Sequence, residues 1–189
     1  MVISKKNDLN IKDISFEDWI IHEKKNGNKM ERTIYYNKKN QLFMKIWNDD
    51  YIWKNNFINA YKCNYYDNIS FLEKIIVNDK GDTLGYINKE LKPHNLKIEK
   101  NSLKNQNILC NNSDNDNYIF FLNKIKEKAK DLKLVHIDVT PYNIGILDNK
   151  IYIFDLESVV TLKELNNMDS WKNYNPQSYV NWIINLNNS

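Results

Sequence analysis

The chain has 189 residues, of which 42% are hydrophobic, enough for one sizeable core or two small lobes. Its formal net charge is only +3, without a clustered run of basic residues, so nucleic-acid binding gains no support. No apolar run reaches the length of a membrane span, and residues 1–8 lack the apolar centre of a signal peptide. Cys63 and Cys110 show no metal-ligand spacing. These features predict a cytoplasmic protein in a reducing setting.

The first part of the chain predicts a β-rich region. Residues 14–48 read as strands with turns, and Thr33–Tyr36 and Gln41–Trp47 form a predicted hairpin. Lys45 lies in the second strand of that hairpin between two apolar neighbours. Because side chains alternate along a strand, we expect the Lys45 side chain on the face opposite to those neighbours.

A helix is predicted near residues 50–66, followed by strands at Ser70–Val77 and Leu84–Leu91. Pro93 then interrupts the pattern. The polar, Asn-rich residues 93–116 are expected to form a mobile linker or a short irregular helix.

Two further helices follow from apolar residues that recur at helical spacing. The first is capped by Asp116 or Asn117, and the second, near 176–187, opens with Pro176. The apolar faces are predicted to be core: Tyr118, Phe121, Leu122, Ile125, Ala129 and Leu132 in the first, and Tyr179, Trp182, Ile183 and Leu186 in the second.

Between these helices, Ile144–Leu147 and Lys150–Phe154 predict a hairpin with Asp148-Asn149 as its turn. In that register Asn143 lies opposite Phe154, and therefore diagonally beside Asp155. A carboxylate and an amide oxygen then converge at the open end of the hairpin. Mg²⁺ favours such a pair of protein oxygens, completed by water and nucleotide phosphates.

Two residues upstream complete a spacing of H-x-D-x-x-x-x-N, with His136, Asp138 and Asn143 at its fixed positions. Asp138 lies on a loop, where its carboxylate is placed to accept a hydroxyl proton from a substrate. Phosphoryl transfer depends on positioning and charge neutralisation more than on covalent chemistry, so these residue types suit it.

Segment 134–157 resembles the catalytic loop and metal-binding motif of the protein-kinase-like superfamily, which includes aminoglycoside and choline kinases. Pro141 matches as well, since Pro is common two residues before that Asn. The resemblance implies an α+β, two-lobed protein-kinase-like fold, with a β-rich N-terminal nucleotide-binding lobe over 1–91. A reduced, mainly helical catalytic lobe is implied over 92–189. Implied with it are ATP, Mg²⁺ or Mn²⁺, and transfer of the γ-phosphoryl group to a hydroxyl acceptor.

The resemblance also implies a role for each matched residue. Asp138 corresponds to the catalytic base and His136 to a structural residue of the catalytic loop. Asn143, Asp155 and Glu157 correspond to metal ligands. Lys45 corresponds to the residue that binds the nucleotide phosphates. The backbone of Lys89, Glu90 and Leu91 corresponds to the segment that contacts adenine.

Several positions depart from the family pattern. Ile137 replaces the Arg of regulated protein kinases, so we expect activity without a priming phosphate. Thr140 replaces the Lys typical of serine/threonine protein kinases, and the chain after Glu157 is too short for their protein-substrate platform. The acceptor therefore stays open among proteins, sugars, lipid headgroups and drug-like amines. Control is expected from substrate supply or from a protein partner that completes the C-terminal lobe.

Two alternative functions remain open. The helix near 50–66 lacks the Glu that should pair with Lys45, and Gly27 alone supports a phosphate-covering turn. Both departures favour a catalytically weak or inactive pseudokinase-type nucleotide-binding module. The residues weighed as substitutes for that Glu are Asn55, Asn56, Asn59, Asp67 and Glu73. A metal-dependent phosphoesterase using His136 and Asp138 ranks lower, because it needs further ligands and the chain has three His.

Overall fold

The computed structural model describes residues 8–25, 31–94, 96–102, 105–109, 113–168, 172, 175 and 177–187. The chain divides into two compact units. The first unit comprises Met1–Ile58 and Phe71–Glu90, and the second comprises Asn59–Ser70 and Leu91–Ser189. The class is mixed α/β with one large sheet. The assignment of nucleotide binding to residues 1–91 and of catalysis to 92–189 stays a prediction.

A six-stranded sheet forms the first unit, in the order β1-β5-β6-β4-β3-β2. Its strands are β1 Asp8–Asn10, β2 Ile20–Lys25, β3 Arg32–Asn37, β4 Leu42–Trp47, β5 Leu72–Val77 and β6 Thr83–Lys89. β1 runs parallel to β5 and every other pairing is antiparallel. The predicted β3–β4 hairpin and the β5 and β6 strands are confirmed, while β1 was not predicted.

The two faces of this sheet have different partners. Met44, Ile76 and Ile87 form a buried core cluster on one face. The opposite face carries Lys45 of β4, together with Trp47 and Tyr86, because side chains alternate along a strand. Gly85 of β6 approaches β4 so closely that an added Cβ would collide with the Lys45 carbonyl. The sheet therefore allows no side chain at that position beside Lys45.

Helix α1 is shorter than predicted, spanning Lys54–Lys62 rather than 50–66. Asn64 adopts a left-handed backbone conformation with φ 57°, and the Tyr65 amide donates to the Ala60 carbonyl at 3.0 Å. Asn tolerates this conformation better than most residues, and it terminates helices. The prediction missed the end because the apolar pattern continues through buried Tyr65 and Tyr66 after the helix has stopped.

The second unit holds helices and three two-stranded antiparallel sheets, β7–β8, β9–β12 and β10–β11. The helices are α2 Ser113–Leu132, α3 Leu162–Leu165 and α4 Gln177–Asn187. The strands are β7 Lys97–Ser102, β8 Asn105–Leu109, β9 Leu134–His136, β10 Ile144–Leu147, β11 Lys150–Ile153 and β12 Val159–Thr161.

Two predictions for this unit were wrong. The region 93–116 contains the β7–β8 hairpin rather than a linker or irregular helix. Its Lys- and Asn-rich composition has low β propensity, but backbone pairing does not depend on those side chains. Helix α2 begins at Ser113, so Asp116 and Asn117 lie inside it rather than capping it.

The predicted apolar faces of α2 and α4 are confirmed in outline, since Tyr118, Ile125, Tyr179 and Ile183 are buried. The predicted start of α4 at Pro176 lies outside the described residues. In the described part of the chain, no helix combines the length and apolar character needed to cross a membrane.

Candidate active site

The β10–β11 hairpin has the predicted register. Leu147 pairs with Lys150, and Asp148 and Asn149 form the turn with φ 50° and 59°. Two successive left-handed residues are what a tight type I′ hairpin turn requires, and Asp and Asn tolerate them. The Phe154 amide donates to the Asn143 carbonyl at 3.0 Å, so Asn143 lies opposite Phe154. The sequence-derived geometry, with Asp155 one residue beyond that pair, is confirmed.

The Asn143 side chain is oriented by the loop that precedes it. Its Nδ2 donates to the Asp138 carbonyl at 3.2 Å, and its backbone amide donates to the Thr140 carbonyl at 3.0 Å. With Nδ2 bound to that carbonyl, the amide oxygen is the atom suited to a cation. The Asn143 amide oxygen and the Asp155 carboxylate are the hard oxygen donors that Mg²⁺ prefers, so the donor set fits the ion.

Within the described residues, no group of three or more His, Cys, Asp or Glu side chains is arranged to hold a metal ion. The expected site needs only two protein ligands, one Asn and one Asp, and its other oxygens come from solvent or phosphate. Mg²⁺ is usually bound in this way, with few protein ligands.

Asp138 lies close enough to Asp155 for their charges to interact. Burial raises the pKa of the Asp138 carboxyl, and the Asp155 charge raises it further. Hydrogen bonds from the side chains of Asn143 and Thr140 act in the opposite direction. The structure therefore brings Asp138, Asn143 and Asp155 together. A carboxylate with a raised pKa is also a stronger proton acceptor.

His136 is fully buried, and both of its ring nitrogens are used within the fold. Nδ1 accepts from the Asp138 amide at 3.2 Å, so Nε2–H donates to the Asp155 carbonyl at 2.8 Å. This neutral imidazole holds the backbones of both aspartates. The arrangement suits the structural role predicted for His136 and does not favour a phosphoesterase in which it would bind metal.

The buried imidazole predicts a pH-dependent stability. Burial lowers the pKa of His136 to about 4, against an ordinary value of 6.5. Between these values the unfolded chain binds a proton that the folded chain does not, so the free energy of unfolding falls as pH drops. We expect a loss of about 3 kcal/mol between roughly pH 6.5 and pH 4.

Urea denaturation across this pH range measures the effect, with His136→Gln as the comparison. The raised pKa of Asp138 changes the free energy of unfolding in the opposite direction as pH drops, but Asp138 is present in both the wild type and the His136→Gln variant. A His136→Gln variant with the same pH slope as the wild type would contradict this prediction.

The loop from His136 to Thr140 is held by buried side chains that sequence reasoning missed in this role. Asn175 accepts from the Val139 amide at 2.7 Å and donates to the Ile137 carbonyl at 2.5 Å. Three tyrosine hydroxyls donate to carbonyls of the loop or of the following segment: Tyr118 to Val139 at 3.1 Å, Tyr179 to His136 at 3.0 Å and Tyr66 to Leu156 at 2.5 Å. The backbone of this loop and of the segment around Leu156 is therefore held from several elements of the second unit.

Asn175 allows a test of this scaffold. Asn175→Ala removes the side-chain partner of the buried Val139 amide and of the Ile137 carbonyl. Each such group costs about 1–3 kcal/mol, so we expect a clearly lower free energy of unfolding. Urea denaturation measures it, with Asn185→Ala, an exposed position on α4, as the control. Equal stability of the two variants would show that Asn175 does not support the loop.

The comparison with protein families bears on this same segment. Residues 93–172 match the family model of the RIO domain. RIO domains are atypical protein kinases of the protein-kinase-like superfamily, so the resemblance seen in the sequence is confirmed. The RIO-matched segment covers less than half of the chain, but it contains Asp138, Asn143 and Asp155. It indicates an atypical kinase, ATP-binding type of domain. A search of curated proteins finds no match to the chain.

Lys45 precedes the RIO-matched segment. It is only 9% exposed, and its Nζ lies 6.0 Å from the centre of the Tyr86 ring. The described helix α1 contains no acidic residue that could serve as the missing Glu. Glu73, considered as a substitute, lies 3.5 Å from the Nζ of Lys89 instead. The structure therefore places Lys45 on the predicted face of β4, while its role towards phosphates stays a prediction.

The predicted adenine-contacting backbone has part of its hydrogen-bonding capacity in use. The Lys89 amide donates to the Phe71 carbonyl at 3.2 Å, and the Glu90 amide donates to the Gln41 carbonyl at 2.8 Å. Neither amide is therefore available to a base. Leu91 belongs to the second unit, where it packs so tightly on Gly145 that a Cβ there would collide with its side chain.

Glu157, the third predicted metal ligand, is 2% exposed. The charges of Glu157 and Asp155 add to the effect of burial in raising the pKa of Tyr66, so Glu157 lies near that hydroxyl. Its contribution to a metal site stays a prediction. Gly27, considered for the phosphate-covering turn, lies outside the described residues.

Proposed function

We propose that this chain is an ATP-dependent phosphotransferase that moves the γ-phosphoryl group to a hydroxyl acceptor in the presence of Mg²⁺ or Mn²⁺. One observation carries the proposal. Asp138, Asn143 and Asp155 converge at one hydrogen-bonded loop and hairpin end, within a segment that matches an atypical kinase domain.

The residues of the proposed site have different tasks. The Asp155 carboxylate and the Asn143 amide oxygen would hold the metal, with Glu157 as a further candidate, and Lys45 would bind nucleotide phosphates. The bound metal supplies neutralisation of phosphate charge. His136 contributes by holding the backbones of Asp138 and Asp155 in place.

Asp138 is the base of the proposed reaction. Its carboxylate accepts the proton of the acceptor hydroxyl while the acceptor oxygen forms a bond to the γ-phosphorus. The bond between that phosphorus and the bridging oxygen of ATP breaks, and ADP leaves with the electron pair. The raised pKa of Asp138 favours this proton transfer.

A nucleotide-binding module without turnover is the second candidate. The described helix α1 contains no acidic residue, whereas the family pattern places a Glu on this helix, and this departure favours the second candidate. The presence of Asp138 beside the predicted metal ligands favours the enzyme.

Calorimetric titration of the full chain with ATP, with and without Mg²⁺ or Mn²⁺, tests both candidates. Metal-dependent binding is expected for either one. No binding with either metal would overturn both. Incubation with labelled ATP and a panel of hydroxyl acceptors then separates them, since only the enzyme transfers label.

A further inference from the structure

Lys45 lies opposite an aromatic residue of the neighbouring strand. In the antiparallel β4–β6 register its direct partner is Tyr86, so both side chains project from the same face of the sheet. The Lys45 Nζ lies over the Tyr86 ring, 6.0 Å from its centre. Gly85, the residue before Tyr86, has no side chain, which lets β6 approach the Lys45 carbonyl closely. The pairing of the two strands therefore places the ammonium and the ring side by side.

The Tyr86 ring is itself held by packing. Phe57 of helix α1 stacks on it, with ring centres 4.9 Å apart and planes tilted by 19°. Trp47 meets both rings edge-on, at 5.4 Å from the Phe57 ring and 5.6 Å from the Tyr86 ring. All three aromatic side chains are at most 3% exposed. The position of the Tyr86 ring beside Lys45 is therefore determined by the fold, before any ligand binds.

The burial of Lys45 gives this contact its importance. The residue is only 9% exposed, so water hydrates the ammonium poorly, and burial of a charge is costly. The negative face of an aromatic ring attracts a cation, and the attraction is stronger when the cation is desolvated. The family pattern places a Glu on helix α1, whereas this helix contains no acidic residue and presents Phe57 to the Tyr86 ring. The ring therefore supplies negative electrostatic potential beside an ammonium that the fold keeps from water.

From the facing strands, the packed ring and the buried ammonium, we propose that Tyr86 is a positioning residue for Lys45. The ring keeps the ammonium at one place on the sheet, so that little side-chain freedom is lost when nucleotide phosphates bind. Ordering one flexible side chain on binding weakens affinity by about two- to ten-fold, and the contact with Tyr86 removes this cost in advance. This inference rests on the proposed function, in which Lys45 binds the phosphates.

A double-mutant cycle tests whether Tyr86 acts through Lys45. The binding of ATP and of inorganic tripolyphosphate to the full chain with Mg²⁺ is measured by calorimetry. Tyr86→Leu should weaken both ligands by about two- to ten-fold, because both carry the phosphates that Lys45 would bind. Tyr86→Phe keeps the ring and should bind both ligands like the wild type. In the Lys45→Met background, Tyr86→Leu should have no further effect.

Phe120→Leu is the matched control. It removes the ring of another lysine–aromatic contact, in which the Lys124 Nζ lies 4.7 Å from the ring centre, on helix α2 rather than on the sheet. This variant should bind both ligands like the wild type. Circular dichroism and urea denaturation confirm that each variant is folded.

A second measurement needs no change at Tyr86. In NMR spectra of the chain with ¹³C-labelled lysine, the Hε protons of Lys45 should resonate upfield of those of an exposed lysine such as Lys38, because an aromatic ring shields protons over its face. The Lys45 signals are assigned by their absence from the spectrum of Lys45→Met. Signals that coincide with those of Lys38 would show that the ring does not hold the ammonium, and would overturn the inference.

The outcomes separate the two levels of the proposal. The positioning inference is overturned, and the proposed function stands, if Tyr86→Leu leaves binding unchanged or weakens it equally in the wild-type and Lys45→Met backgrounds. The same holds if Tyr86→Phe loses as much affinity as Tyr86→Leu. If the wild type binds no ATP, both are overturned.

Discussion

Replacement of Asp138 by Asn is expected to lower the rate of phosphoryl transfer by about 10²- to 10⁴-fold, the usual contribution of a positioned general base. An amide cannot accept the hydroxyl proton of the acceptor, but it has nearly the size of the carboxylate and keeps one oxygen that accepts hydrogen bonds. Nucleotide affinity should change little, because the base acts on the acceptor. Initial rates with labelled ATP and calorimetric titration with ATP and Mg²⁺ measure the two quantities separately.

Asp148→Asn is the control for this substitution. Asp148 is an exposed aspartate in the turn of the same hairpin, at a left-handed position that Asn also tolerates. Its replacement should leave rate and affinity unchanged. A loss of nucleotide binding in Asp138→Asn as large as that caused by replacing Asp155 would contradict the assignment of Asp138 as the base. In the wild type, the rate should fall as pH drops through the raised pKa of Asp138.

Replacement of Asp155 by Asn is expected to weaken metal-dependent ATP binding by about 30- to 3,000-fold. The estimate corresponds to roughly 2–4.8 kcal/mol, within the range lost when one member of a close charged pair is neutralised. The substitution removes the charge that attracts the cation but keeps an oxygen at the same position. Titration with Mg²⁺ present measures the loss.

The same titration in the presence of a chelator supplies the internal comparison. Without metal, Asp155→Asn should bind ATP at least as well as the wild type, since the lost attraction is to the cation and the carboxylate itself repels phosphate. If Asp155→Asn weakened ATP binding by the same factor with and without metal, Asp155 would act on the fold rather than on the ion. Asp148→Asn again serves as the unaffected control.

The sequence predicted the site hairpin because its signals are local. The alternation of apolar residues fixes which side chains share a face, and Asp148-Asn149 tolerates the left-handed conformations of a tight turn. Together they determine the register, and with it the position of Asn143 beside Asp155. Lys45 followed from the same alternation.

The parts of the fold and of the candidate site that the sequence did not predict depend on contacts between residues distant in sequence. Asn175 lies 36 residues from Val139, and in a chain so rich in Asn nothing marks it as different from the others. Helical spacing predicted that Tyr118 and Tyr179 are buried, but the partner of each hydroxyl is set by tertiary structure. The β7–β8 hairpin depends on backbone pairing, which polar side chains do not reveal.

The three successive backbone amides that follow β9 are all hydrogen-bonded within the fold. The Ile137 amide donates to the Ser158 carbonyl at 2.7 Å, the Asp138 amide to the His136 ring and the Val139 amide to Asn175. In hydrogen–deuterium exchange, these amides should therefore exchange as slowly as those of the core and not like those of a surface loop. Their deuterium uptake would then report the opening of the whole second unit, because no small local fluctuation frees all three.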